Sequence, residues 1–391
     1  MKFLSKKVIT GLFAGAMALS IGASSSEAAA PENNRYYSIH LKANTNKVWD
    51  VAYQSTDDRE ILLYDQTNMD NQKFVFFPLD GGAYAIVNKN SGKPVGIRPS
   101  DILVHHPVYN LLAQQSWKGD AKQKWYLRDK GSSNYEIVNQ GDGRVASSAW
   151  TGTLIQNRDY VDLDDSNPSD PERIFYVSAG QVNKGNVPFH GTFALPSLPA
   201  IETRPDAPNY TGGIDQQLPQ TSNSVVVGAS LIPCIMVNDN QASDYTKMHN
   251  SPYYTLVKEE YWDKTFSAVI PAGLTRNYEF KTGMSSVDQQ KMTDTLSMTV
   301  GADLGLKFGE QSAGLKAEIS RTLQTEISTT NTQATEETIT SSVTSEPGKT
   351  TGFTEYQLAT KYTLKRADGS IVSDPWIVKN NKITIARKAA Q

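Results

Sequence analysis

Gln72-Lys73-Phe74, Gln123-Lys124-Trp125 and Arg173-Ile174-Phe175 stand about 50 residues apart. Each follows a short polar loop and opens an apolar run: Val75-Phe76-Phe77, Tyr126-Leu127 and Tyr176-Val177. The segments upstream echo one another as well. They read Lys47-Val48-Trp49-Asp50-Val51, Lys93-Pro94-Val95-Gly96-Ile97 and Gly143-Arg144-Val145-Ala146-Ser147. A unit of this size, made of short strands and Gly/Asn/Asp turns, cannot bury its apolar side alone. Three of them around a pseudo-threefold axis can, so the first half is predicted to be all-β, three four-stranded lobes about that axis.

The triplets resemble the Gln-x-Trp signature of ricin-type β-trefoil lectins. In that family a lobe holds sugar with an Asp at the end of its first strand, an aromatic platform, and an Asn-Gln pair before the signature aromatic. The resemblance therefore implies a carbohydrate site at Asp50, Tyr64, Asn71 and Gln72. The chemistry fits: a carboxylate accepts hydrogen bonds from neighbouring hydroxyls, and a ring face stacks on sugar C–H groups. Asn71 and Gln72 could equally tie loops to the lobe core. Lobe two has Gly96 in place of the acid, and lobe three has Ala146, Ser147 and Arg173. His105-His106, adjacent and pointing to opposite sides of a strand, reads as structural.

Composition narrows the rest. The chain has 391 residues and a net charge of −3, which argues against a nucleic-acid partner. A mean hydropathy of −0.45 excludes a polytopic membrane protein. One cysteine and five histidines leave no disulfide framework or cysteine-cluster metal site, and no metal or cofactor is expected. Cys234, among apolar neighbours, reads as a buried structural thiol. Lys2, Lys6 and Lys7, an uncharged run from Val8 to Ala23, and the small residues Ser24–Ala30 form a secretory signal pattern over 1–30. The remainder divides into a trefoil at 31–185, a proline-rich joint at 186–220 and a second β domain at 221–391. The joint holds Pro188, Pro196, Pro199, Pro205, Pro208 and Pro219, so it is extended and supplies no central strand.

In the second domain, apolar residues fall on every even position from Leu296 to Phe308, and on Ala313, Leu315, Ala317 and Ile319. That is a period-2 pattern on either side of Gly309-Glu310-Gln311-Ser312. Pairing Phe308 with Ala313 places Leu306 opposite Leu315, Leu304 opposite Ala317 and Ala302 opposite Ile319. Arg321 then falls opposite Val300. Each arm is about the length a membrane β-strand needs. In a closed barrel Val300, Ala302, Leu304, Leu306, Phe308, Ala313, Leu315, Ala317 and Ile319 would meet lipid. Asp303, Lys307, Lys316 and Glu318 would line the lumen, with Asp303 across from Glu318. An amphipathic hairpin on a soluble core would show the same alternation.

Leu231-Ile232-Pro233-Cys234-Ile235-Met236-Val237-Asn238-Asp239, with Ser251-Pro252-Tyr253-Tyr254 and Tyr261-Trp262, resembles the Toxin-10 pesticidal proteins. That group contains the binary mosquitocidal toxins. The resemblance runs over nearly all of 31–391. It implies a trefoil head on an elongated antiparallel aerolysin-type domain, and a secreted insecticidal pore-forming toxin. It further implies a gut-cell glycan, glycolipid or protein receptor, a target membrane, homo-oligomerisation and a possible second toxin component. Members often accumulate in sporulation crystals without a cleaved signal, unlike this chain. A secreted lectin without pore activity is the alternative. No enzyme is expected: the sequence has no H-E-x-x-H or G-x-S-x-G, and Pro347-Gly348-Lys349-Thr350 has Val343 where a P-loop needs its first glycine. The acidic stretch Asp162, Asp164, Asp165 and Asp170 matches no calcium-loop spacing.

Overall fold

A computed structural model of the protein describes residues 30–99, 110–152, 157–178 and 191–391. The signal pattern up to residue 29 and His105-His106 lie outside the described residues.

The first half is a trefoil head. Each repeated triplet ends or follows a single 3-10 turn: Asp70–Gln72, Ala121–Gln123 and Pro171–Arg173. Strands Phe74–Pro78, Trp125–Asp129 and Phe175–Ser178 come next, and their first aromatics meet fully buried in one core. Trp49 sits edge-on to Phe74 and Phe175, with ring centroids 6.0 and 5.6 Å away. The glutamines explain why the triplet recurs. Gln72 accepts from the Thr67 and Asn68 N–H groups (2.6 and 3.2 Å) and donates to the Asp65 carbonyl (2.9 Å). Gln123 does the same with the Lys118 N–H (2.7 Å) and the Ser116 carbonyl (2.8 Å). In lobe three Arg173 reaches the Asp165 carbonyl and binds Asp164 and Asp170. A buried amide that satisfies a loop's backbone fixes that loop to the core.

The second half is an elongated antiparallel body. Its strands run in the order Val225–Pro233, Tyr253–Ile270, Thr351–Lys365, Trp376–Ala390, Thr275–Met284, Glu337–Thr344. Tyr253–Ile270 spans 18 residues, roughly 60 Å of extended chain. A bulge between Lys264 and Phe266 reverses which side chains face which way. Before it, Trp262 packs with Tyr356 and Leu358 under Ala207 and Leu218 of the proline-rich run. After it, Phe266 stacks on Tyr278 (4.2 Å) beside Phe353. The proline-rich run is thus more than a joint: the Pro205 and Pro219 carbonyls accept from the Trp262 indole (2.8 Å) and the Tyr356 hydroxyl (2.7 Å).

Head and body share one hydrophobic core. Phe77, Leu79 and Trp117 of the head join Ile235, Met248, Tyr253, Met298 and Leu315 of the body. Cys234 lies inside this core, where burial pushes its thiol up to about 12. It is an inert structural group.

The stretch 296–321 does not form the expected hairpin. Leu296 ends the helix Ser286–Leu296, and Ser297 turns the chain in a left-handed conformation. Met298–Val300 pairs with Leu306–Phe308 around a tight turn at 301–305, with Thr299 opposite Lys307. The return arm is a 3-10 turn, Ala313–Leu315, and a helix, Lys316–Thr322. None of the pairs 308/313, 306/315, 304/317 or 302/319 exists. Asp303 accepts from the Thr329 N–H (2.8 Å) instead of facing Glu318, which binds Arg321. Lys307 donates to the Asn331 carbonyl (2.7 Å). The reason is an ambiguity of period. Leu315, Ile319 and Leu323 are four apart, one face of a helix as well as one face of a strand, and that face is buried. Glycines let the first arm fold back: a Cβ on Gly305 would lie 2.7 Å from the Ser328 nitrogen. Val300, Leu306, Leu315 and Ile319 are buried and Leu304 and Phe308 pack on the same core, but Ala302 and Ala317 face water.

Candidate functional site

The strand Asn44–Val51 brings Asp50 to the floor of a half-open cavity of about 520 Å³ on lobe one. Tyr64, Asn71, Lys47, Tyr53, Gln54, Thr67 and Asp159 are among its lining residues. Three of the four expected site residues therefore meet there. Gln72, the fourth, is fully buried behind Asp50 and donates to its Oδ2 at 2.7 Å. It positions the acid and ties the loop, the loop-tying role that the sequence left open, and it does not line the cavity.

Asp50 is 7% exposed. Burial pushes its carboxyl above the usual range, against the pull of the Gln72 and Asn71 amides. Asn71 donates to the Val51 carbonyl (3.1 Å), while its buried Oδ1 has no partner in the protein. A buried acceptor without a donor is unfavourable unless a ligand or water supplies one. Tyr64 is 54% exposed and Tyr53 69%. Two exposed aromatic residues thus line a cavity with a polar floor, an arrangement that can take an apolar ring face above hydrogen-bonding groups.

Tyr53, Gln54, Lys47 and Asp159 were not legible as site residues. Tyr53 and Gln54 both adopt positive φ (62° and 53°), an uncommon pair for non-glycine residues. That conformation turns the loop outward at the rim. Asp159 comes from the strand Asn157–Asp164 of lobe three, which neighbours Ile61–Asp65 through the pair Tyr160–Leu62. Lobes two and three offer no counterpart of Asp50. A Cβ on Gly96 would already lie 3.0 Å from the Gln123 side chain, and Ala146 and Ser147 are buried. Among the described residues, no group of three or more His, Cys, Asp or Glu could hold a metal.

The string Leu231–Asp239 ends the strand Val225–Pro233 and continues through a 3-10 turn, Cys234–Met236. Its last residue, Asp239, is buried and takes a two-pronged contact from Arg366, at 2.7 and 2.9 Å. The Tyr254 hydroxyl (3.0 Å) and Gln241 N–H (3.0 Å) complete its shell. The string is a structural lock between two loops of the body.

The family model described as Insecticidal Crystal Toxin, P42 matches residues 225–388. Residues 225–388 are a Toxin-10 domain. The ricin-type beta-trefoil lectin domain-like model matches the chain over 27–103 and 70–157. Binary larvicide subunit BinA of Lysinibacillus sphaericus is 28% identical over 363 residues, covering 91% of each chain. Binary larvicide subunit BinB of the same organism is 29% identical over 336 residues, covering 82% of this chain and 70% of BinB. The crystal structure of Cry35Ab1 superposes with a TM-score of 0.76 at 22% identity, covering 91% of this chain and 90% of that one. It shares the fold of a trefoil head on an elongated β body.

Proposed function

We propose that this protein is a secreted insecticidal toxin, directed at mosquito larvae. It docks on a gut-cell glycan or glycolipid through lobe one, oligomerises, and opens a β-barrel pore in the target membrane. The observation that carries the docking step is the lobe-one cavity, with its paired aromatic rim, buried Asp50 and unpartnered Asn71 oxygen. The Toxin-10 domain and the amphipathic alternation of 296–321 support the membrane step. BinA and BinB are named as subunits of a binary larvicide, so a second toxin chain is a proposed partner. Export by the N-terminal signal and deposition in sporulation crystals are both compatible routes of delivery.

In the inserted state 296–321 is proposed to take the extended register that its sequence encodes. Asp303, Lys307, Lys316 and Glu318 then line a lumen close to neutral, with weak ion selectivity. A second reading rests on the ribbon of Thr275–Met284 with Glu337–Thr344. It already pairs residue for residue from Thr275–Thr344 to Thr282–Glu337, and its Ser/Thr-rich strand alternates in exposure. That ribbon would need only to detach, not to refold.

Asp50→Ala tests the docking site. Sugar hydroxyls would lose their acceptor, costing about 1–3 kcal/mol, or roughly five- to 150-fold in affinity. A glycan array on which Asp50→Ala matches wild type would remove lobe one as the site; no glycan binding by wild type would point to a protein receptor. The same site has a pH signature. Binding needs the Asp50 carboxylate, whose pKa burial raises. Affinity should therefore be lost as the pH falls, with a midpoint above the ordinary carboxylate range, and titrating glycan affinity against pH reads that midpoint.

A further inference from the structure

The helix Lys316–Thr322 has no side-chain cap of its own. Its first amides are taken instead by a residue of the head: the Ala317 and Glu318 N–H groups donate to Asp80 Oδ2 and Oδ1, at 2.9 and 3.4 Å. Asp80 opens the loop Asp80–Gly82 of lobe one, more than 230 residues earlier in the chain. A second head loop grips the turn before the helix. The Trp117 indole donates to the Gln311 carbonyl at 2.8 Å. Gly119 presses so closely on Glu310 that a Cβ there would overlap the Glu310 carbonyl. Between the two loops, Leu79 packs on Gly314.

The segment so held is one whose pattern fits two conformations. A seven-residue helix is marginal on its own. The adjoining turn holds Leu304 at a φ of 69°, a conformation that a branched aliphatic residue seldom takes. Period-2 alternation runs through the same residues. Local preference therefore does not select the compact form, and contacts from the head do much of the selecting.

We propose that the trefoil head is an autoinhibitory clamp: the Asp80 and Trp117–Gly119 loops hold 309–322 compact, and loosening them frees this segment to extend. The consequence for membrane attack rests on the pore-forming reading; the clamp itself does not. It places the control of the segment in the domain proposed to meet the receptor.

Hydrogen exchange on the full chain tests the clamp without a membrane. Asp80→Ala should speed exchange of the amides from 317 to 323 about tenfold, while Asp80→Asn, which keeps an acceptor, should stay near wild type. Unchanged exchange in Asp80→Ala overturns the clamp. A reversible lock tests its consequence. A Cβ built on Gly314 lies 3.8 Å from the Leu79 Cβ, a spacing that suits a disulfide. The double variant Leu79→Cys, Gly314→Cys should release no dye from phosphatidylcholine vesicles carrying insect-midgut glycolipid when oxidised. Reduction should restore release to the wild-type level, which also shows that the variant is folded. Equal release from oxidised and reduced forms overturns the link between clamp and pore. Wild type that never releases dye overturns the pore-forming reading instead, and leaves the exchange result to decide the clamp.

Discussion

Ala317→Arg should abolish membrane conductance and leave the soluble protein nearly unchanged. Ala317 is exposed on the helix Lys316–Thr322, so in the monomer the new side chain stays in water. An exposed substitution of this kind shifts stability by about 0.5 kcal/mol or less. In the proposed inserted hairpin the same position faces lipid across from Leu304, midway along the arm. A charge there costs roughly 2–4 kcal/mol per copy, repeated around the ring. The readout is conductance across a planar bilayer, with glycan binding and thermal unfolding as controls. If Ala317→Arg conducts like wild type, 296–321 stays out of the membrane. Silence of the companion variant Val343→Arg, checked by thermal unfolding like that of wild type because Val343 packs beside Tyr278 and Phe353, would then assign insertion to the ribbon 275–282 with 337–344. Position 317 is a better probe than 304, because Leu304 already packs on the soluble core.

Asp239→Ala should lower the stability of the body by about 3 kcal/mol, near the lower end for a broken buried ion pair because Arg366 keeps some contact with water. For a body of this size that is a fall of roughly 6–12 °C in the unfolding temperature. Three donors lose their acceptor at once: the Arg366 guanidinium, the Tyr254 hydroxyl and the Gln241 N–H. The effect has a predictable pH dependence. Burial alone would raise the Asp239 pKa, but Arg366, the Gln241 N–H and Tyr254 together hold it below the usual carboxylate range. A depressed folded pKa means that the stabilisation is complete above the unfolded value, about 4, and fades as the pH falls through the folded one. The gap in unfolding temperature between wild type and Asp239→Ala should therefore be wide at pH 7 and close in acid. A gap that persists unchanged into strong acid would show that packing, not the ion pair, carries the contribution.

The trefoil was legible in the sequence because its determinants are local and repeated. Gln72 and Gln123 each satisfy a loop only four to seven residues upstream, and Phe74, Trp125 and Phe175 follow at fixed offsets. Asp50, Tyr64 and Asn71 could be found for the same reason: all belong to one lobe. The amphipathic alternation of 296–321 was equally plain as a pattern, but a pattern does not choose its partner. Apolar residues four apart satisfy a strand and a helix alike, so Leu315 and Ile319 were read as strand positions and folded onto one buried helical face.

What only the tertiary structure decided is what depends on chains distant in sequence meeting in space. Asp159 reaches the lobe-one cavity because lobe three lies beside lobe one. The proline-rich run covers Trp262 and Tyr356 on one face of the sheet, and the bulge after Lys264 sends Phe266 to the other. Helix 316–322 exists where it does because Asp80, in the other domain, accepts its first amides. Short elements gain little from their own backbone, and the burial and capping that decide among their possible conformations come from whatever packs against them. Composition and period thus determined the class of each half of this protein, while what decides the conformation of 309–322 is its packing against the other half.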